Sequence, residues 1–149
     1  MPVAKEFTIG VLAGKTGCTV PTIRYYEEIG LLPEANRRAG GHRAYGDGDL
    51  RRLTFIRRCR DFGFSIEQIR EFLALVGSPG SDCIAARDLT QAHLDTVRAK
   101  LRELRALERD LRAFVADCDQ QCAGGPAGAC VILEDLAMPK SKSCCGSGG

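Results

Sequence analysis

Eight cysteines sit in a chain of 149 residues, and four of them are spaced as ligands for a soft metal ion. Cys83 stands just before a long helical pattern. Cys118, Cys122 and Cys130 follow that pattern within thirteen residues. Thiolates favour Zn²⁺, Cd²⁺, Hg²⁺, Pb²⁺ or Cu⁺ over hard cations. Cys118 and Cys130 flank a segment that can curl until both sulfurs converge. A third sulfur from Cys83 makes a set suited to trigonal Hg²⁺ or Pb²⁺. A fourth ligand, from Cys122 or water, suits tetrahedral Zn²⁺ or Cd²⁺. Cys18 and Cys59 lie in helical segments away from this cluster and read as small packing residues. Cys144 and Cys145 are neighbours in a polar tail, and adjacency alone assigns them no role.

The element between Cys83 and Cys118 sets the problem. Residues 83–118 contain no Gly or Pro. Leu94, Val97, Leu101, Leu104, Leu111 and Val115 follow a/d heptad spacing, interrupted once by Glu108 and widened by Leu107 and Phe114. With charged residues elsewhere, this predicts a coiled-coil helix. Such a helix is about 52 Å long between the two cysteines, at 1.5 Å per residue. Thiols at its opposite ends cannot meet within one straight rod. They meet if two copies pair antiparallel. No other segment is large enough to cover the stripe, so the pattern predicts a homodimer with a site shared between chains.

Upstream, Thr8 suits the N-cap of a short helix through Val11, Leu12 and Ala13, ended by Gly17. A second helix starts near Thr19 or Val20, with Pro21 in its first turn, and runs to Glu28 before Gly30. Two short helices joined by a glycine turn form a helix-turn-helix signature. Residues 33–46 hold Pro33 and the Gly40-Gly41 pair, which break a helix. They read as a basic β-hairpin, or wing, with Arg37 and Arg38 on one arm and Arg43 and Tyr45 on the other. Asp47 or Asp49 caps a helix over about 49–61, whose apolar face is Leu50, Leu53, Phe55 and Ile56. Phe62-Gly63 ends it. Ser65 opens a fourth helix with Gln68 near a capping box. Its inner face is Ile66, Ile69, Phe72, Leu73 and Val76. Gly77 to Ser81 is a linker, and residues 119–129 form a loop.

Charge is unevenly placed. The chain carries +2 overall. Residues 15–60 hold ten Lys/Arg against five Asp/Glu, a local +5, and the rest nets −3. A basic N-terminal region on a nearly neutral chain is the footprint of a nucleic-acid partner. In the second helix Thr22, Arg24, Tyr25 and Tyr26 share a short surface. Arg and Thr contact phosphates or major-groove edges, and Tyr hydroxyls donate to phosphate. Adjacent helical positions point about 100° apart, so one of the two tyrosines belongs to the core. Arg38, Arg43 and Tyr45 add the wing. Two copies would read a palindrome of double-stranded DNA.

No apolar run approaches the roughly 20 residues of a membrane span. The start lacks a signal-peptide core. A cytoplasmic location follows, where thiols stay reduced and clustered cysteines serve metal or redox chemistry rather than disulfides. Only His42 and His93 are present, and no catalytic His/Asp/Ser set is visible. His42 reads as a wing residue and His93 as a surface position.

The run TIGVLAGKTGCTVPTIRYYEEIGLLP, followed by HRAYGDGDLRRLTFIRRCRDFGFSIEQIREFL, resembles the MerR family of bacterial transcription regulators. The resemblance covers about residues 7–136. It rests on IRYYE-x-x-GLL and R-x-Y as hallmarks. It implies a mainly α fold: a winged helix-turn-helix, a long antiparallel dimerisation helix and a C-terminal effector loop. It also implies a promoter whose −35 and −10 elements lie too far apart, distorted by the dimer so that RNA polymerase engages both. By position it makes Arg24, Tyr26, Arg43 and Tyr45 DNA contacts. Cys83 matches the cysteine that opens the helix in sensors of mercury, zinc, cadmium and lead, where copper and gold sensors carry serine. Cys118 and Cys130 match the two loop cysteines. The chain departs from the family in a longer loop and in the extra thiol Cys122. Zinc sensors also place an added ligand in that loop, whereas paired tail cysteines resemble those of copper sensors.

The reading is therefore a homodimeric, metal-responsive regulator, not an enzyme, that activates a resistance or efflux operon on binding Cd, Pb, Zn or Hg. The expected organisation is a DNA-binding domain (1–77), a dimerisation helix (83–118), a metal-binding loop with a short helix (119–136) and a disordered tail (137–149). Alternatives are a Cu(I)-type or iron–sulfur sensor of the same family, or a thiol-rich metal buffer. An iron–sulfur cluster needs four clustered cysteines, and a buffer has no use for a basic winged N-terminus.

Overall fold

A computed structural model describes residues 5–37, 41–122 and 124–139. The fold is mainly helical. In order it comprises α1 (Ile9–Thr16), α2 (Val20–Glu28), β1 (Asn36–Arg37), β2 (Arg43–Ala44), α3 (Asp47–Asp61), α4 (Ile66–Val76), α5 (Cys83–Gln121), a 3₁₀ turn (Ala127–Ala129) and α6 (Val131–Ala137). The chain divides into two compact units, up to His93 and from Leu94, with the division inside α5.

In the first unit the local signals work as expected. The Thr8 hydroxyl accepts from the Val11 N–H at the start of α1. Gly17, at φ 71°, closes it in the left-handed region that favours glycine. Thr19 caps α2 by accepting from the Thr22 N–H, and Pro21 lies in the first turn. The hairpin pairs Asn36 with Ala44 and Arg37 with Arg43, antiparallel. Phe7 bridges Tyr45, which ties the approach to α1 to the base of the wing.

Two expectations need correction. Neither Asp47 nor Asp49 is the N-cap of α3, because the helix begins at Asp47 and Gly46 occupies the cap. Asp49 instead sits three residues in, and its carboxylate accepts from the Gly46 N–H at 2.9 Å. Val76 does not face the core. It is the last residue of α4 and is 79% exposed, since the helix outruns the surface it packs on. The capping box of Ser65 and Gln68 forms as expected.

Leu12, Ile23, Leu31, Leu32, Tyr45, Leu53, Ile56 and Ile69 make the fully buried centre, with Cys18 and Cys59 packed among them. Phe72 packs in T-shaped contacts with Phe55 and Phe64. His93, on α5, stacks on Phe64 with ring centroids 4.2 Å apart. Its Nε2 lies 2.7 Å from the Phe62 carbonyl, so it carries the proton and donates.

In the second unit α5 buries none of its own residues. Leu94, Val97, Leu101, Leu104, Leu107, Leu111 and Val115 are all substantially exposed. The helix runs three residues past Cys118, where a loop was expected. Asp119, Gln120 and Gln121 hold no breaker, and the left-handed turn waits for Gly124. Residues 140–149, with Cys144, Cys145 and most of the expected disordered tail, lie outside the described residues, as does Arg38. No described helix is long and apolar enough to cross a membrane.

Candidate metal centre and nucleic-acid interface

The extension of α5 decides the geometry of the thiols. Cys118 and Cys122 are four residues apart, and the Cys122 N–H donates to the Cys118 carbonyl at 3.0 Å. Residues at i and i+4 of a helix share a face. The two sulfurs accordingly stand 3.4 Å apart. The chain then turns through Gly124, the Gly125 N–H bonds the Cys122 carbonyl at 2.7 Å, and the 3₁₀ turn delivers Cys130 to the N-cap of α6. Sγ of Cys118, Cys122 and Cys130 all lie within 4.8 Å of one another, each half-buried. Cys83, exposed in the first turn of α5, is not part of this group.

Two of the thiols are shifted, in opposite directions. Hydrogen bonding to Cys122 pushes the Cys118 thiol up to about 11, with partial desolvation and the charges of Cys122 and Cys130 acting the same way. Cys130 is held below its ordinary value, because the backbone N–H groups of Leu133 and Ile132 at the start of α6 donate to its sulfur. With metal–sulfur bonds of about 2.3 Å, sulfurs in a trigonal or tetrahedral set stand ~3.8–4.0 Å apart. The observed spread brackets that value, so the residues present fit such an ion.

The other functional surface is in the first unit. Arg24 and Tyr25 are exposed on α2, Tyr25 by 49%, and Thr22 is half-buried with its hydroxyl 2.7 Å from that of Thr19. Tyr26 is the core member of the tyrosine pair, at 7% exposure, and burial raises its hydroxyl above the usual range. Thr8, Arg24, Arg37, His42 and Arg43 line a cleft of about 480 Å³ between the start of α1, α2 and the wing. Three guanidinium groups there make an anion-accepting surface.

Tyr45 departs from its expected role. Its ring is fully buried, and its hydroxyl donates to Glu27 Oε1. A side chain with no exposed surface has nothing to offer a phosphate, so Tyr45 is corrected from a contact to a support. Arg43 Nη1 lies 2.9 Å from Glu27 Oε2. Glu27, buried at 9% exposure, thus joins α2 to the wing, a role the sequence reading missed. Its partners are sixteen and eighteen residues away in sequence, so no local pattern reveals them. Several arginines of the basic segment also prove structural. Arg52 donates to the Leu31 carbonyl, Arg57 to Gly17 and Arg60 to Phe64, each at 2.8–2.9 Å.

A helix-turn-helix backed by a two-stranded basic wing defines a DNA-binding regulator rather than an enzyme. Residues 7–75 match the model of the MerR HTH family regulatory protein, and residues 50–114 match that of MerR, DNA binding. The chain belongs to the MerR family of transcription regulators. It is 38% identical to a helix-turn-helix transcriptional regulator of Pseudomonas aeruginosa, over 92% of this chain and 98% of that one. It is 54% identical over 67 residues to the transcriptional regulator HmrR of Sinorhizobium medicae, a match spanning 46% of that protein's length. Among solved structures it is similar to the transcription regulator PbrR691 from Ralstonia metallidurans CH34 in complex with lead(II), at 42% identity and a TM-score of 0.75. That match covers 88% of this chain and 99% of the other.

Proposed function

We propose that this protein is a metal-responsive transcriptional regulator whose effector is a thiophilic divalent cation: Pb²⁺, Cd²⁺, Zn²⁺ or Hg²⁺. The observation that carries the reading is the convergence of three cysteine sulfurs within 4.8 Å on the same chain as a winged helix-turn-helix. The likeness to a regulator crystallised with lead(II) supports it. The protein works as a homodimer in the cytoplasm, where thiols stay reduced. Antiparallel pairing of α5 carries Cys83 of a second copy to the loop of the first, beside Cys118, Cys130 and Cys122. A bound soft cation supplies a cross-link among these sulfurs. Thr22, Arg24 and Tyr25 of α2 and Arg43 of the wing contact promoter DNA, and Arg38, which lies outside the described residues, is a further contact expected from the sequence. Tyr26 and Tyr45 hold that surface from behind.

The regulatory output is activation of a metal-resistance or efflux operon. The dimer distorts a promoter with a long spacer until RNA polymerase engages both elements. The coupling between loop and DNA is of the usual allosteric size, ~1–3 kcal/mol. A promoter–reporter panel across Zn²⁺, Cd²⁺, Pb²⁺ and Hg²⁺ tests this reading. Induction by at least one of them is expected. Cys118→Ser or Cys83→Ser should abolish it while the gel shift on the promoter persists. Undiminished induction in both variants would sink the proposal.

A further inference from the structure

We infer that the loop of a single chain holds the metal ion by itself, with Cys122 as the third ligand beside Cys118 and Cys130. On this account Cys83 of a second copy reports the ion rather than retaining it. The inference rests on the proposed metal-sensing function and assigns separate tasks to its cysteines.

The argument starts from the helix. Because α5 continues to Gln121, Cys122 is fixed in phase with Cys118, and their sulfurs already stand 3.4 Å apart. Cys130 is fixed by an independent device, its place at the N-cap of α6 after the 3₁₀ turn. The turn between them is pinned by the bond from the Gly125 N–H to the Cys122 carbonyl. All three sulfurs therefore meet within 4.8 Å without any contribution from another chain. Little ordering is left for binding to impose, which is where a preorganised site gains affinity. Three sulfurs with no carboxylate or imidazole among them make a donor set for soft cations, such as Pb²⁺ and Hg²⁺, that accept trigonal thiolate coordination. Cys83 of the second copy would then meet an ion that is already held, as a further ligand. Holding the ion and linking the two chains are then separable steps.

The full-length protein, titrated with Pb²⁺ under reducing conditions and followed by thiolate-to-metal charge-transfer absorption, tests this. Wild type should bind one Pb²⁺ per chain. Cys83→Ser should keep that stoichiometry, with affinity within about threefold of wild type, yet fail to induce the reporter. Cys122→Ser should weaken Pb²⁺ binding by about tenfold or more, a loss of at least ~1.4 kcal/mol. Circular dichroism should show unchanged helix content in both. Loss of Pb²⁺ binding in Cys83→Ser would overturn the inference in favour of a site that needs both chains. Wild-type affinity in Cys122→Ser would overturn it by removing the third ligand. If wild type itself binds none of Pb²⁺, Cd²⁺ and Hg²⁺, the metal-sensing function fails, and this inference falls with it.

Discussion

At the scale of single residues, the basic surface of α2 and the wing depends on side chains buried behind it. Glu27 accepts from the Tyr45 hydroxyl and pairs with Arg43, so one buried carboxylate holds the wing against α2. Tyr45→Phe keeps the ring and removes the donor. It should cost about 1–2 kcal/mol, the usual loss when a buried acceptor goes unsatisfied, read as a lower midpoint in urea. The same contact gives a pH dependence. Burial, with the hydrogen bond and charge of Glu27, pushes the Tyr45 hydroxyl up to about 12 from 10.0. Its folded value lies above the unfolded one, so its contribution is complete below pH ~10. It is lost as pH rises from there through about 12, on the order of 2 kcal/mol in all. Wild type should therefore lose stability between pH 10 and 12 more steeply than Tyr45→Phe, and parallel curves would count against it. The sequence placed Tyr45 on the wing correctly but not its direction. A Tyr in an R-x-Y run looks the same whether it faces solvent or a carboxylate eighteen residues upstream.

At the scale of elements, what was legible is what chain-local chemistry determines. Thr8, Thr19 and Ser65 cap their helices because a hydroxyl three residues before a free N–H satisfies it wherever the rest of the protein lies. The end of α5 is not legible for the complementary reason. Nothing forbids helix through Gln121, and polarity alone does not end one. That shift of three residues is what brings Cys122 to Cys118. Gly125 then becomes a positioning residue for the loop, since a Cβ there would stand 3.2 Å from the Cys122 carbonyl. Gly125→Ala should leave the helix content intact and weaken Pb²⁺ binding several-fold. An unchanged titration would mean that the turn does not set the thiol spacing. His93, a surface position by sequence, is a clamp, donating to the Phe62 carbonyl and stacking on Phe64. His93→Ala should raise amide exchange at Phe62–Phe64 and in the first turns of α5, with the rest of the first unit little changed. Uniform exchange across the unit would show that His93 is not a local tether.

At the scale of the whole molecule, the sequence overstated one surface and described another well. Arg52, Arg57 and Arg60, counted in the basic footprint, are spent on backbone carbonyls between elements. The cationic face is correspondingly narrower, centred on Arg24, Arg37 and Arg43. The apolar stripe of α5, by contrast, is where heptad spacing put it. Leu101, Leu104, Leu111 and Val115 are 45–57% exposed. A continuous row of large apolar side chains is more than a monomer ordinarily leaves to water. Pairing of two α5 helices would cover it, and a Glu at two central positions would place like charges inside that seam. Leu104→Glu with Leu111→Glu should sediment as a monomer at concentrations where wild type is a dimer. Its affinity for a palindromic promoter should fall by orders of magnitude, because the two half-sites lose the gain from linkage. Its Pb²⁺ titration should still reach one ion per chain, since the three loop thiols converge without a second copy. A variant that remains dimeric would show that the stripe is not the interface. A monomer that no longer binds Pb²⁺ would show that the loop needs its partner to hold the ion as well as to report it.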